Sequence, residues 1–172
     1  MADALLAPAV AATMYAASTV TAGASIVKLN REEKLDHELA AKKLPTMAVM
    51  SALVFAGQMI NYTIPGTGSS GHICGGMLLT SVLGPWAGFL SMIAVLAIQC
   101  LFFADGGLMA LGANIWNMAF YGCFVGYFLI YRPIMHSNWF SGKGEKAAGR
   151  LKIIAASVIG HFFTDKYLLI AL

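Results

Sequence analysis

Charge is scarce in this chain: only 11% of its 172 residues are Asp, Glu, Lys or Arg, against about 25% in soluble domains. Apolar residues reach 59%, and the mean hydropathy is +0.73. That balance excludes an ordinary soluble domain. A net charge of +3, drawn from two loops, excludes a nucleic-acid surface and reads as topology information. Cysteine is also sparse. Cys74, Cys100 and Cys123 stand far apart, with no paired spacing of the zinc or dithiol kind; Cys100 and Cys123 read as inert apolar thiols. No Gly-x-x-x-x-Gly-Lys-Ser/Thr stretch occurs, so the chain does not hydrolyse ATP itself. A nucleophile elbow and a His-Glu-x-x-His pair are missing too, which weighs against a hydrolase. No basic start precedes the first apolar run, as a signal peptide would require.

What is present is a succession of apolar segments sized for one membrane bundle. Residues 5–27 form a run rich in Ala, Ser and Thr, small residues that let helices pack closely in lipid. A polar insert follows from Lys28 to Lys43, in which Lys28, Arg31, Lys34, Lys42 and Lys43 face Glu32, Glu33, Asp36 and Glu38. Only the basic residues set orientation, so this loop is expected in the cytoplasm and the N-terminus outside. Pro45 is expected to open a second helix, over residues 45–61. Further helices are predicted over 86–103, 114–131 and 151–172, and the ten methionines read as packing filler.

A second basic loop, Arg132 to Lys152, carries Arg132, Lys143, Lys146, Arg150 and Lys152. If both basic loops are cytoplasmic, an even number of crossings separates them, and the three long segments between are one short. Residues 73–83 are the only apolar stretch left. They are too few for a full span, which needs about 20 residues, and Gly84-Pro85 ends them. A short, partly inserted helix is therefore expected there, beneath the loop that precedes it.

That loop, Gly66-Thr67-Gly68-Ser69-Ser70-Gly71-His72-Ile73-Cys74-Gly75-Gly76, holds five glycines in eleven residues and the only histidine between Leu39 and Tyr131. Glycine lets backbone approach a bound group closely. Non-helical backbone at membrane depth survives only where protein buries it or where it lines a watery cavity. The segment Ala104 to Ala113, with Asp105, Gly106 and Gly107, is a second glycine-rich loop and leads to Asn114 and Asn117. In the topology above, both loops and the N-terminus share the outer face and read as a capture site for a small solute. Two plainer readings stand beside it: glycines serving tight turns with asparagines as caps, and an intramembrane hydrolase using His72 with Ser69 or Ser70 and Asp105.

The ordered set Thr67 to Gly76, Gly84-Pro85-Trp86, Gln99 to Gly107 and Leu111-Gly112-Ala113-Asn114-Ile115-Trp116-Asn117-Met118 resembles the substrate-capture (S) component of cobalt and nickel energy-coupling-factor ABC transporters. The opening Met1-Ala2-Asp3-Ala4-Leu5-Leu6 is similar to that family's start, and the likeness covers roughly residues 1–160. It implies an all-α, polytopic membrane helix bundle in the cell's plasma membrane, and not an enzyme. Its transported substrate would be Co(II) first and Ni(II) second, with no organic cofactor, and cobalt uptake would feed cobalamin synthesis. The implied partners are a membrane scaffold (T) subunit, cytoplasmic ATPase subunits and a small accessory membrane subunit in the lipid bilayer, with no nucleic acid.

By the same resemblance His72 is the loop's metal ligand. Ser69, Ser70 and Asn114 lie near the pocket, where their hydrogen bonds would orient the ligands, and Gly68, Gly71, Asp105, Gly106 and Gly107 line it. Imidazole and backbone nitrogen suit both metals. The family's other ligands come from an N-terminal Met-His pair, whereas this sequence opens Met1-Ala2-Asp3. The expectation is that the pair lies just upstream of Met1. A second departure is Asp165-Lys166 in the last apolar segment, which reads as a C-terminal truncation or frameshift after about Gly160.

Overall fold

The computed structural model describes residues 7–35, 37–60, 62–64, 69–71, 74–104 and 107–136. Helix α1 (Pro8–Leu35) starts on a proline, whose fixed φ suits a first helical turn and whose missing N–H costs nothing there. Four of its small hydroxyls, those of Thr13, Thr19, Thr21 and Ser25, donate to carbonyls of the helix itself. Thr19 Oγ1 donates to the Tyr15 carbonyl and Ser25 Oγ to that of Thr21, each at 2.8 Å, so these residues sit in an apolar run without unpaired polar atoms.

The polar insert expected as a loop is helical instead. Helix α1 continues two turns past residue 27, and α2 (His37–Met59) already begins inside the insert, with Pro45 within it and not at its head. Residues such as Glu, Leu, Ala and Lys are strong helix formers whatever their charge. A straight helix would hold Glu32 and Lys43 about 16 Å apart along its axis, yet Lys43 Nζ lies 3.0 Å from Glu32 Oε2. The chain therefore reverses between them, and α1 and α2 form a helical hairpin.

Strands β1 (Tyr62–Ile64) and β2 (Ser69–Gly71) pair antiparallel, with Tyr62 opposite Gly71, Thr63 opposite Ser70 and Ile64 opposite Ser69. The flanks of the glycine loop thus form a short ladder where open loop was expected; the pairing satisfies backbone groups that lipid could not. Helix α3 (Gly76–Leu83) follows, then Gly84 at φ 83°, then α4 (Pro85–Phe103) with proline at its first position. A short α5 (Leu111–Asn114) runs without a break into a wider stretch, Ile115–Tyr131, and a last turn, α6 (Arg132–His136). The wider stretch is π-wound: at its end the Arg132 N–H reaches the carbonyl of Tyr127, five residues back. The segment expected over 114–131 thus extends over Leu111–His136. The helix expected over 151–172 lies outside the described residues.

Among the described residues three helical segments are long and apolar enough to cross a membrane: Pro8–Glu32, Pro85–Phe103 and Leu111–His136. Helix α2 is not among them, because its first turns are charged. The molecule is an all-α bundle of membrane type, with α4 at its centre, packed against α1, α2, α3 and the π-wound stretch. Leu79 on α3, Phe89 and Met92 on α4, and Ala119 and Cys123 on the π-wound stretch are fully enclosed. Glycine makes the close contacts. A Cβ on Gly88 would stand 3.1 Å from the Thr80 backbone, and one on Gly76 would stand 3.1 Å from Gly122 Cα.

Two ends of the bundle are distinct. Tyr15 on α1 donates from its hydroxyl to the Leu108 carbonyl, and Ser18 Oγ to that of Gly112 at 3.1 Å. About 20 Å further along α1, Lys28 Nζ lies 5.9 Å from the ring centre of Trp86, at the start of α4. Helices α1 and α4 are therefore antiparallel. The turn 107–112 and the end of α2 sit at one end of the bundle, and the basic hairpin sits at the other.

Candidate functional site

Helix α3 is eight residues long, about 12 Å, while the nineteen residues of α4 beside it rise about 28 Å. The two share the turn at Gly84-Pro85, so α3 climbs less than half of α4 before it stops. Cys74 and Gly75, at its foot, consequently lie near the middle of the bundle in non-helical backbone. Both are buried.

Buried backbone of this kind needs partners, and the bundle supplies them. Gln58, near the end of α2 and 1% exposed, donates from Nε2 to the Cys74 carbonyl at 2.6 Å. Its Oε1 accepts from Gln99 Nε2 on α4 at 2.8 Å, and its Nε2 lies 3.7 Å from the Met92 sulfur. The Gly75 carbonyl accepts from the Leu79 N–H at 3.1 Å. Gly75 has φ 70°, and a Cβ there would stand 2.5 Å from Val54 Cγ1. Only glycine fits.

Of the residues singled out in the sequence, Ser69, Ser70 and Gly71 form β2. Asn114 ends α5, half-buried, with its N–H on the Ala110 carbonyl at 2.8 Å. Gly107 is half-buried just ahead of the turn held by α1. His72, Gly68, Asp105 and Gly106 lie outside the described residues. Among the described residues no three His, Cys, Asp or Glu side chains gather in a way that could hold a metal ion. Helix α4 ends at Ala104, a non-glycine residue at φ 51° whose N–H reaches the Gln99 carbonyl. Asp105 follows directly. Left-handed backbone on alanine costs about 1–2 kcal/mol, and such strain clusters at functional sites.

Sequence reasoning missed Gln58. The available signal was an uncharged amide inside an otherwise apolar helix, a residue type that hydrogen-bonds across helices in lipid.

The family model described as the cobalt uptake substrate-specific transmembrane region matches residues 1–172. A candidate fused nickel transport protein of Archaeoglobus fulgidus is 52% identical over 103 residues, covering 59% of this chain and 34% of that protein. A cobalt transport protein of Sorangium cellulosum is 38% identical over 87 residues, covering 51% of this chain and 39% of its own length. The chain thus spans little more than a third of either relative. The crystal structure of a truncated transition-metal transporter superposes with a TM-score of 0.71 at 36% identity, covering 94% of this chain and 71% of the other.

Proposed function

This chain belongs to the family of cobalt uptake substrate-specific transmembrane regions, and on that footing we propose that it captures a divalent transition-metal ion, cobalt first and nickel second, at the outer face of the plasma membrane. The observation that carries the reading is the foot of the glycine loop. Cys74-Gly75 is buried, non-helical backbone near mid-height of the bundle, with the Cys74 carbonyl held by Gln58 and Gly75 turned in the left-handed region beside Val54. Such backbone is tolerated at membrane depth only where protein buries it or a watery cavity adjoins it. His72 is two residues away in the chain.

In this reading His72 supplies one imidazole, and a Met-His pair ahead of Met1 supplies an amine, an amide nitrogen and a second imidazole. Ser69, Ser70 and Asn114 orient these ligands, and Gly68, Gly71, Asp105, Gly106 and Gly107 shape the mouth. Orientation follows from charge: the Lys28–Lys43 hairpin stands at the opposite end of the bundle from Leu108 and Gly112, and basic loops stay in the cytoplasm. Transport then requires a membrane scaffold subunit, cytoplasmic ATPases and a small accessory membrane subunit, and cobalt uptake feeds cobalamin synthesis. The relatives named above are transport proteins, which weighs against the hydrolase reading.

The test is thermal melting of the purified chain, extended by Met-His ahead of Met1, with and without Co(II) or Ni(II). A ligand that binds only the folded state at 100 times its Kd stabilises it by about 2.7 kcal/mol. A melting temperature unmoved by either metal would sink the proposal.

A further inference from the structure

We propose that Gln58 and Gln99 form a positioning pair for the capture loop, fixing the Cys74 carbonyl and with it the chain that carries His72. The inference deepens the capture reading and rests on it for the role of the metal, though not for the geometry.

The pair is built for one job. Gln58 is 1% exposed and Gln99 4%, on two different helices, and their amides meet at 2.8 Å. A glutamine amide has two orientations, exchanging donor and acceptor. Only one of them faces the Cys74 carbonyl with an N–H; the other would set two oxygens against each other. Gln99 selects the productive one, because its Nε2 donates to Gln58 Oε1 and leaves Gln58 Nε2 for Cys74, at 2.6 Å. Gln99 therefore acts through Gln58, and Gln58 acts on the loop.

The neighbouring Gly75 lies so close to Val54 of the same helix α2 that a Cβ would not fit between them. Two independent contacts thus tie the foot of the loop to α2. Neither is needed to build α3, whose first turn closes through its own bonds, Leu79 N–H to the Gly75 carbonyl and Thr80 Oγ1 to that of Gly76. A hydrogen-bonded partner that orients a metal-bearing group without touching the ion changes metal affinity by about 10–100-fold when lost.

The experiment uses the full chain in detergent, as Gln58→Met, Gln99→Met and the double substitution. The alkylation rates of Cys74 and Cys123 by N-ethylmaleimide are read in the same molecules by peptide mass spectrometry. Cys74 marks the foot of the loop, and Cys123, fully enclosed beside Gly76, marks general loosening of the bundle. Each single substitution should speed Cys74 by roughly two- to tenfold, the scale of one lost hydrogen bond, and leave Cys123 unchanged. The double substitution should match Gln58→Met alone. Unchanged Cys74, or Cys74 and Cys123 rising together, overturns the positioning role.

Co(II) titration of the chain extended by Met-His supplies the second readout. Gln58→Met should weaken binding by about tenfold, and Gln99→Met should weaken it no more than that. Unaltered affinity in Gln58→Met would refute the pair's link to the metal. His72→Ala separates the two ideas: if it leaves Co(II) binding intact the capture reading falls, while the Cys74 rates still judge the pair.

Discussion

Gly76 and Gly122 meet backbone on backbone: a methyl group added to Gly76 would stand 3.1 Å from Gly122 Cα and 3.2 Å from the Met118 carbonyl oxygen. That contact seats α3 on the π-wound stretch and brings Cys123 Sγ within 3.7 Å of the Gly76 carbonyl. Small residues serve this purpose between membrane helices, where close packing replaces the hydrophobic drive of water.

Gly76→Ala should therefore destabilise the bundle by about 1–3 kcal/mol, the usual cost of overpacking a tight contact. Gly57→Ala is the control, because a Cβ there meets nothing within 4 Å, and alanine is the better helix former by about 1 kcal/mol. Denaturant unfolding of both variants in detergent micelles checks the pair, with Gly76→Ala falling below the parent and Gly57→Ala matching or exceeding it.

The two left-handed positions should respond in opposite senses. Gly75→Ala forces a side chain into φ 70° and against Val54, so it should lower the melting temperature. Ala104→Gly releases a strained alanine at φ 51°, and should stabilise by up to about 1 kcal/mol once the flexibility of glycine is set against the strain. Melting curves for the two variants settle the signs.

Metal binding by the chain as it stands should be weak, since one imidazole leaves most of the coordination sphere to water. Placing Met-His ahead of Met1 should tighten Co(II) binding by orders of magnitude, and His72→Ala should abolish that gain. Imidazole must shed its proton to ligate, so affinity should fall as pH drops through the ordinary histidine range near about 6.5. Calorimetric titration of both forms at several pH values reads all three effects. Equal, tight and pH-independent binding would remove His72 from the site.

Orientation can be read by thiol labelling in intact cells. Cysteines placed at Gly66 and Gly106 should react with an impermeant reagent from outside, while one at Lys143 should not. Labelling of the Gly106 position from the cytoplasm alone would break the even count of crossings between the two basic loops.

The ion pair between Lys43 and Glu32 should matter little. Its side chains are 23% and 49% exposed, and surface pairs contribute about 0–1 kcal/mol, less in salt. Lys43→Ala should leave the unfolding midpoint nearly unchanged at high ionic strength.

Much of this molecule was legible in composition and punctuation alone. Membrane character follows from the scarcity of charge, and the turn at Gly84-Pro85 from the conformational limits of those two residues. The short helix at Gly76–Leu83 falls within a stretch too brief to span yet too apolar to stay in water. Other features were hidden for identifiable reasons. The Lys28–Lys43 insert looks like a loop because its charges are conspicuous, whereas helix propensity depends on side-chain entropy and backbone fit, which Glu and Lys satisfy. Pro45 looked like a helix start, but the turns ahead of it extend the helix backward to His37.

The bundle class, the glycine loop with His72 and the family were decided by residues in sequence, because local backbone freedom and hydropathy are local properties. Only the tertiary structure decided how that loop is held. Gln58, Cys74 and Gln99 lie 16 and 25 residues apart along the chain, and nothing local links an amide on α2 to a carbonyl before α3 and an amide on α4. They meet because α3 stops short of its neighbour, leaving bare backbone at mid-height, and a buried carbonyl must find a donor where no water can provide one.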